Sequence, residues 1–300
     1  MSLKIQTFNC FGPAYAPRLV FRTKLLCDYL KESDPLDIYL FQEVWKDAHY
    51  KIIHRLFYKG QDNLEEFYFD SLTPKNKKTG MLVYFRGELH TAEYRPFSIN
   101  EANILDRFRS KIGIIKGIGY LKVYREDVGD IHILNIHTHP TSSAIRISQI
   151  VEIIDFVKSL SSGHIIIGGD FNMEPSSIEY KLLLASISCE VVPAKNLVKG
   201  DLTSYSRKNP YAIPGLHKLV DYIFLKSDTL SFSKAFINMK KYQGYHLSDH
   251  YGVFAEVSKR EKEAKIEHKL EAVRIEAIEF LTRSNRLKYR STIDILESLL

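Results

Sequence analysis

Hydrophobic positions alternate from the start of the chain: Leu3–Phe8 has the period of two expected of a strand, and a helix-period stretch follows at Leu19–Lys31. Asp37–Phe41 is a second apolar run, ending on Gln42-Glu43. Further strands are expected at Met81–Phe85, Gly119–Val123, His132–Ile136, His164–Ile167, Val220–Leu225 and Gly252–Val257. Ile145–Leu160 carries Ile147, Ile150, Val151, Ile154 and Val157 on one helical face. Strands come in pairs without an intervening helix at 81–97 and 117–138, which argues against a parallel doubly wound sheet. The expected fold is α/β: two mostly antiparallel sheets packed face to face, with helices outside. There is no internal repeat.

At Ser258 the pattern changes. Lys259–Leu300 has no Gly or Pro, is dense in Lys and Glu, and carries a stripe of Ile266, Leu270, Val273, Ala277 and Leu281. This divides the chain into a catalytic-sized unit, 1–257, and a C-terminal amphipathic helical extension, 258–300. A break is expected at Arg283–Arg286, with Ser291 or Thr292 capping a last short helix. Such a stripe either docks on its own domain or offers a surface for self-association or a partner.

Composition narrows the class. Three hundred residues can bury a large core. A net charge of +6 leans mildly toward anionic partners such as nucleic acid, phosphoesters or an acidic membrane face. Three widely spaced cysteines, Cys10, Cys27 and Cys189, suit neither a disulfide framework nor a zinc site. No apolar run is long enough to span a membrane, and a strand in place of a signal peptide leads to a cytoplasmic or membrane-peripheral expectation.

Candidate chemistry sits at the ends of the expected strands. Asn9 ends the first, where a turn role is the ordinary explanation. Glu43 lies just past the second; a helix N-terminus explains a carboxylate there about as well as a metal does. In Gly168-Gly169-Asp170-Phe171-Asn172 the paired glycines let backbone approach a ligand, and Asp170 and Asn172 offer an acceptor and an amide. Asp221 interrupts an apolar strand, a costly position unless it meets a cation or an imidazole. Ser248-Asp249-His250 suggests a metal ligand beside a general base. In Ile136-His137-Thr138-His139-Pro140, alternation puts both histidines on one face; catalysis ranks above zinc, and one of the two is expected to be only structural.

Together, Asn9, Glu43, Thr138-His139, Gly169-Asp170-Phe171-Asn172, Val220-Asp221-Tyr222 and Ser248-Asp249-His250 resemble, in order, the signature of the endonuclease/exonuclease/phosphatase superfamily. The resemblance implies a four-layered α/β sandwich. Within the superfamily the chain is most similar to the neutral sphingomyelinase branch. The likeness lies in Thr7-Phe8-Asn9-Cys10-Phe11-Gly12, Phe41-Gln42-Glu43-Val44-Trp45, Lys116-Gly117-Ile118-Gly119-Tyr120-Leu121-Lys122, Thr138-His139, Arg146 and Gln149. Pro140 departs from the usual Leu of that branch, and Phe11 from the Asp usual in abasic-site endonucleases. The resemblance implies a phosphodiester hydrolase using Mg²⁺, one ion or two, with Mn²⁺ as a substitute. Glu43, Asn9 and Asp249 would be the metal residues; His250, Asp221, His139, Asp170 and Asn172 would be catalytic. Either His250 or Asp170 would activate the attacking water. The implied substrate is a phospholipid head group at a peripheral membrane contact, with a nucleic-acid phosphodiester as the alternative and a non-catalytic binding module behind both.

Overall fold

A computed structural model describes residues 2–59, 61–101, 113–193, 197, 202–260 and 270–298. Its architecture follows from strands that are apolar on both faces. One six-stranded sheet has the order β13-β14-β1-β2-β4-β3. It is built from β1 (Ser2–Asn9), β2 (Ile38–Gln42), β3 (Glu65–Tyr68), β4 (Leu82–Phe85), β13 (Leu230–Asn238) and β14 (Gly252–Lys259). The other has the order β5-β6-β7-β8-β12-β9. Its strands are β5 (Glu88–Pro96), β6 (Gly117–Arg125), β7 (Gly129–His137), β8 (His164–Asp170), β9 (Glu190–Val192) and β12 (Asp221–Lys226). Among the strand pairs of the described residues, the central β1–β2 and β7–β8 pairs are parallel and the others in the two sheets are antiparallel. A short ribbon, β10 (Tyr205–Ser206) with β11 (His217–Lys218), lies apart from both sheets.

Alternation assigns each strand's side chains to two cores. Ile38, Leu40, Val83, Ile133, Ile166 and Ile223 fill the space between the sheets. Their neighbours Tyr39, Phe41, Leu82 and Tyr84 face outward into a second core, shared with α1 (Leu19–Glu32) and α2 (Asp47–Ile53). On the far side, Leu134, Ile136, Ile167, Tyr222 and Phe224 pack against α3 (Ser143–Ser159) and α4 (Ile178–Ile187). The result is helix, sheet, sheet, helix: a four-layered sandwich. Among the described residues no helix is long and apolar enough to cross a membrane.

The C-terminal segment forms α5 (Leu270–Asn285) and α6 (Arg290–Ser298). Ile266, the first position of the expected stripe, lies outside the described residues. From Leu270 onward the stripe is docked on the domain, with Ala277, Leu281, Tyr289, Ile293 and Leu296 buried in the core beneath α3 and α4. The expected cap at Ser291 or Thr292 is not what the structure has: α6 already begins at Arg290, and the Thr292 hydroxyl is buried 2.7 Å from that of Ser148 on α3. A cap belongs at a helix end, and here the polar side chain spans a helix–helix contact instead.

Candidate active site

Six separate chain segments bring their functional residues to one end of the sandwich. Asn9, Glu43, His137 and Asp170 stand at or just past the C-terminal ends of β1, β2, β7 and β8. Asp221 opens β12, and Asp249-His250 precede β14. These last two strands run antiparallel to β8 and β1, so their beginnings lie at the same end. Asp221 is the register partner of Asp170.

The central contacts are short. The Asp221 carboxylate accepts from His250 Nδ1 at 2.8 Å, leaving Nε2 facing Asp170 Oδ2 at 3.8 Å. Asn9 donates its amide to the same Asp170 oxygen at 3.0 Å, while Asp170 Oδ1 accepts the backbone N–H of Asn172 at 2.9 Å. Asn172, in the left-handed region at φ 49°, turns its amide to the Thr138 carbonyl at 3.2 Å. Lys116 Nζ donates to that carbonyl at 2.6 Å. Glu43 also sits at positive φ, 61°, a strained conformation for a residue with a side chain. The turn directs its carboxylate into the cluster, where 21% of the side chain remains accessible.

Two sequence expectations change here. The glycine pair does not open backbone to a ligand: a Cβ on Gly168 would strike Leu40 of the facing sheet, and one on Gly169 would overlap the Ile136 carbonyl. The glycines permit close sheet-to-sheet and strand-to-strand approach beneath the site. Nor do His137 and His139 share a strand face, because β7 ends at His137. His137 is buried in the cluster, with Nε2 at 3.7 Å from Glu43 and 3.6 Å from Asp170, and with no hydrogen-bond partner for Nδ1 among the described residues. Past the strand end, His139 Nδ1 accepts the backbone N–H groups of Thr141 and Ser142, at 3.3 and 3.0 Å. An imidazole that accepts at Nδ1 carries its proton on Nε2, so His139 is held as a neutral donor. Gln149 and Arg146 on α3 fix its backbone, Gln149 Oε1 accepting the His139 N–H at 2.8 Å and Arg146 donating to the His139 carbonyl at 3.2 Å. Arg146 is itself held by Glu179 on α4 at 2.8 Å.

Electrostatics follow from crowding charge in a buried place. Burial raises Glu43, and Asp170 adds to the rise against the opposing pull of Lys116 and His250. Burial pushes Asp249 up to about 7, with Glu43 and Asp170 contributing. Burial alone would lower His250, but Asp221, Asp170 and Asp249 outweigh it and hold the imidazole well above its ordinary value. His137 goes the other way, driven well down by burial and by Lys116, His250 and His139. Carboxylates that raise one another's proton affinity define a place where a cation relieves the repulsion. Asp170, Asp221 and His250 offer ligand atoms within 4.8 Å of one another and can hold a metal ion. Glu43, Asn9 and Asp249 beside them could add oxygen donors, which suit a hard divalent cation.

Several residues that organise the site carried no role in the sequence. The Arg22 guanidinium is buried in α1 and donates to four carbonyls: Pro17 at 2.9 Å, Cys10 at 3.2 Å, Leu247 at 2.8 Å and Phe11 at 2.7 Å. It ties the segment after Asn9 to the segment before Asp249. Ser248 Oγ donates to the Asn9 carbonyl at 2.6 Å, Asn209 donates to the Ser248 carbonyl at 2.7 Å, and the Ser204 hydroxyl accepts the Asp221 N–H at 3.1 Å. The Tyr205 ring stands edge-on to His250, centroids 4.9 Å apart. Beneath them Gln42 and Asn135 bridge the two sheets at 2.8 Å. No local signal in the sequence marks these roles, which arise only where distant segments meet.

A four-layered sandwich with this ordered set of strand-end residues defines a class of phosphodiester hydrolases. The profile of the Endonuclease/Exonuclease/phosphatase family matches residues 7–250, and the chain belongs to that family. Among solved structures, beta toxin from Staphylococcus aureus is similar at 19% identity and TM-score 0.64, over 84% of this chain and 99% of that one. An endonuclease/exonuclease/phosphatase from Bacteroides vulgatus is similar at 16% identity and TM-score 0.66, over 87% of this chain and 100% of that one. TDP2 from C. elegans matches at 16% and 0.64, over 86% of this chain and 75% of that one. At these identities the likeness is one of fold. No curated protein matches the chain by sequence search.

Proposed function

We propose that the protein is a Mg²⁺-dependent phosphodiester hydrolase that cleaves a phospholipid in the manner of a sphingomyelinase, releasing a lipid alcohol and a phosphorylated head group. The observation that carries the reading is the 2.8 Å Asp221–His250 pair, whose free Nε2 points at Asp170 beside the Glu43–Asn9–Asp249 oxygens.

Glu43, Asn9 and Asp249 would hold the cation, which would supply Lewis-acid polarisation of the phosphoryl group and offset charge developing on its oxygens. His250 Nε2 would take the proton of the attacking water from the neutral fraction of the imidazole, which a bound cation would enlarge by offsetting the carboxylates, and Asp221 fixes the tautomer and stabilises the imidazolium. Asp170 accepts the Asn172 N–H at Oδ1 and the Asn9 amide at Oδ2, and the Oδ2 atom, which also faces His250 Nε2, would orient that water. His139, held with its proton on Nε2, donates to a non-bridging oxygen or the leaving alkoxide. Asn172 supplies a further amide.

The lipid assignment is supported by the motifs that resemble the sphingomyelinase branch, since Lys116, Arg146 and Gln149 all converge on the Thr138-His139 backbone. Turnover with Mg²⁺ is compared on sphingomyelin, lysophospholipids, plasmid DNA and inositol phosphates. Preference for a choline phospholipid is expected. Efficient cleavage of DNA with no lipid turnover refutes the lipid assignment and makes the enzyme a nuclease.

A further inference from the structure

A groove of about 570 Å³ lies beside the catalytic end of the sandwich, between the start of α1 and α2. Leu19, Val20, Phe21 and Ile52 give it an apolar lining, and Arg18, Lys24 and Lys46 add three cations; no acidic residue lines it among the described residues. Its walls continue directly from the site. Lys46 follows three residues after Glu43, and the buried His49 on the groove wall abuts Gly12, where a Cβ would also overlap the Glu43 carbonyl. Arg22 fastens the start of α1 to Cys10, Phe11 and Leu247.

Around this groove several large apolar side chains are exposed. Tyr15 is 76% exposed, Val20 51%, Phe21 40% and Tyr245 44%. The Phe21 and Tyr245 rings meet edge to face at 5.0 Å, so the tip of the 240–245 turn and the start of α1 form one ridge. Lys240 and Lys241 are exposed on that turn. Of the acids nearby, Asp47 on α2 is paired with Lys78 at 2.7 Å, and Glu32 near the far end of α1 is engaged by Tyr242 of the turn. Aromatic and aliphatic side chains interleaved with exposed lysines are the composition that settles at a lipid–water interface. Rings enter the head-group layer and cations meet lipid phosphates and carboxylates.

We infer that the ridge Val20–Phe21–Tyr245, with Arg18, Lys24, Lys46, Lys240 and Lys241, is a docking surface for an anionic bilayer that sets the catalytic rim against the lipid head groups. The inference rests on the phospholipid reading above. All these segments lie at the strand ends that carry Asn9, Glu43 and Asp249, so adhesion through them leaves the reacting phosphate a short path to the site.

The test is sedimentation of the full chain with vesicles of phosphatidylcholine alone or mixed with phosphatidylserine. Binding is expected to be stronger on the mixed vesicles and to weaken with salt. Lys24→Ala with Lys241→Ala is expected to lower binding to mixed vesicles about tenfold or more. Phe21→Ala with Tyr245→Ala should lower binding to both compositions. Hydrolysis of a small soluble phosphodiester should stay unchanged in all of them, which also reports that the variants are folded. Equal binding to both vesicle types, or binding untouched by either pair, overturns the docking surface even where lipid is hydrolysed. Impaired vesicle binding by the variants of a protein that hydrolyses no lipid supports the surface and refutes the substrate assignment instead.

Discussion

Asp249→Asn separates the cost of assembling the site from its use. In the protein without metal, Asp249 is raised from 3.8 to about 7. Between those two values the fold keeps a proton that the unfolded chain has released. Stability therefore falls as pH rises through that window and stays low above it. Three pK units at about 1.4 kcal/mol each give about 4 kcal/mol of destabilisation above pH 7. Asparagine has nothing to ionise and fills nearly the same volume. In urea titrations with EDTA, the stability of the variant relative to the parent should rise by about 1.4 kcal/mol per pH unit from about pH 4 to pH 7, then level off near 4 kcal/mol. Saturating Mg²⁺ should reverse the order, because ligand binding stabilises only the protein that holds it. The variant should lose turnover in the same step. Parallel pH profiles for the two proteins in EDTA would refute the reasoning, since they would place Asp249 in ordinary solvent contact.

Other substitutions probe separate parts of the site and its support. His250→Ala and His139→Ala should each lower turnover about 10²-fold or more. His137→Ala, at 3.7 and 3.6 Å from Glu43 and Asp170, should act mainly through Mg²⁺ affinity, seen as a raised metal concentration for half-activity with smaller loss at saturation. Arg22→Met should cost about 3 kcal/mol or more in urea denaturation, because four carbonyls, those of Cys10 and Leu247 buried, lose their donor, with a weakened Mg²⁺ response as the Asn9 and Asp249 segments part. Leu281→Ala should lower stability by about 3 kcal/mol, and truncation after Ser258 should give aggregating protein, since α5 and α6 cover buried core. A soluble, monomeric, equally stable truncated protein would contradict that role.

How much of this could be read in the sequence depended on whether the signal was local. Strands such as β2, β7, β8 and β12 are buried on both faces, so they stand out as apolar runs. The edge strand β13 escaped notice because a bulge between Phe232 and Lys234 breaks its alternation and much of it is only partly buried. Edge strand β3 is only Glu65–Tyr68, too short for periodicity to register. Asn9, Glu43, Asp170, Asp221, Asp249 and His250 were legible because each carries its own short strand-end context. Arg22, Ser204, Tyr205 and Asn209 were not, because their roles arise only when distant loops meet. The two histidines show the limit most clearly: alternation governs residues up to the strand end, and the chain leaves the strand between His137 and His139.

The most direct test follows the phosphorus itself. By ³¹P NMR, sphingomyelin in mixed micelles is incubated with the parent protein and with Glu43→Gln, each with Mg²⁺ and with EDTA. A phosphomonoester resonance should grow only with the parent protein and Mg²⁺, while Glu43→Gln keeps the parent's circular dichroism. Product formed in EDTA, or formed by Glu43→Gln at limiting Mg²⁺ as fast as by the parent, would contradict the assignment of a metal-assisted hydrolase centred on these residues.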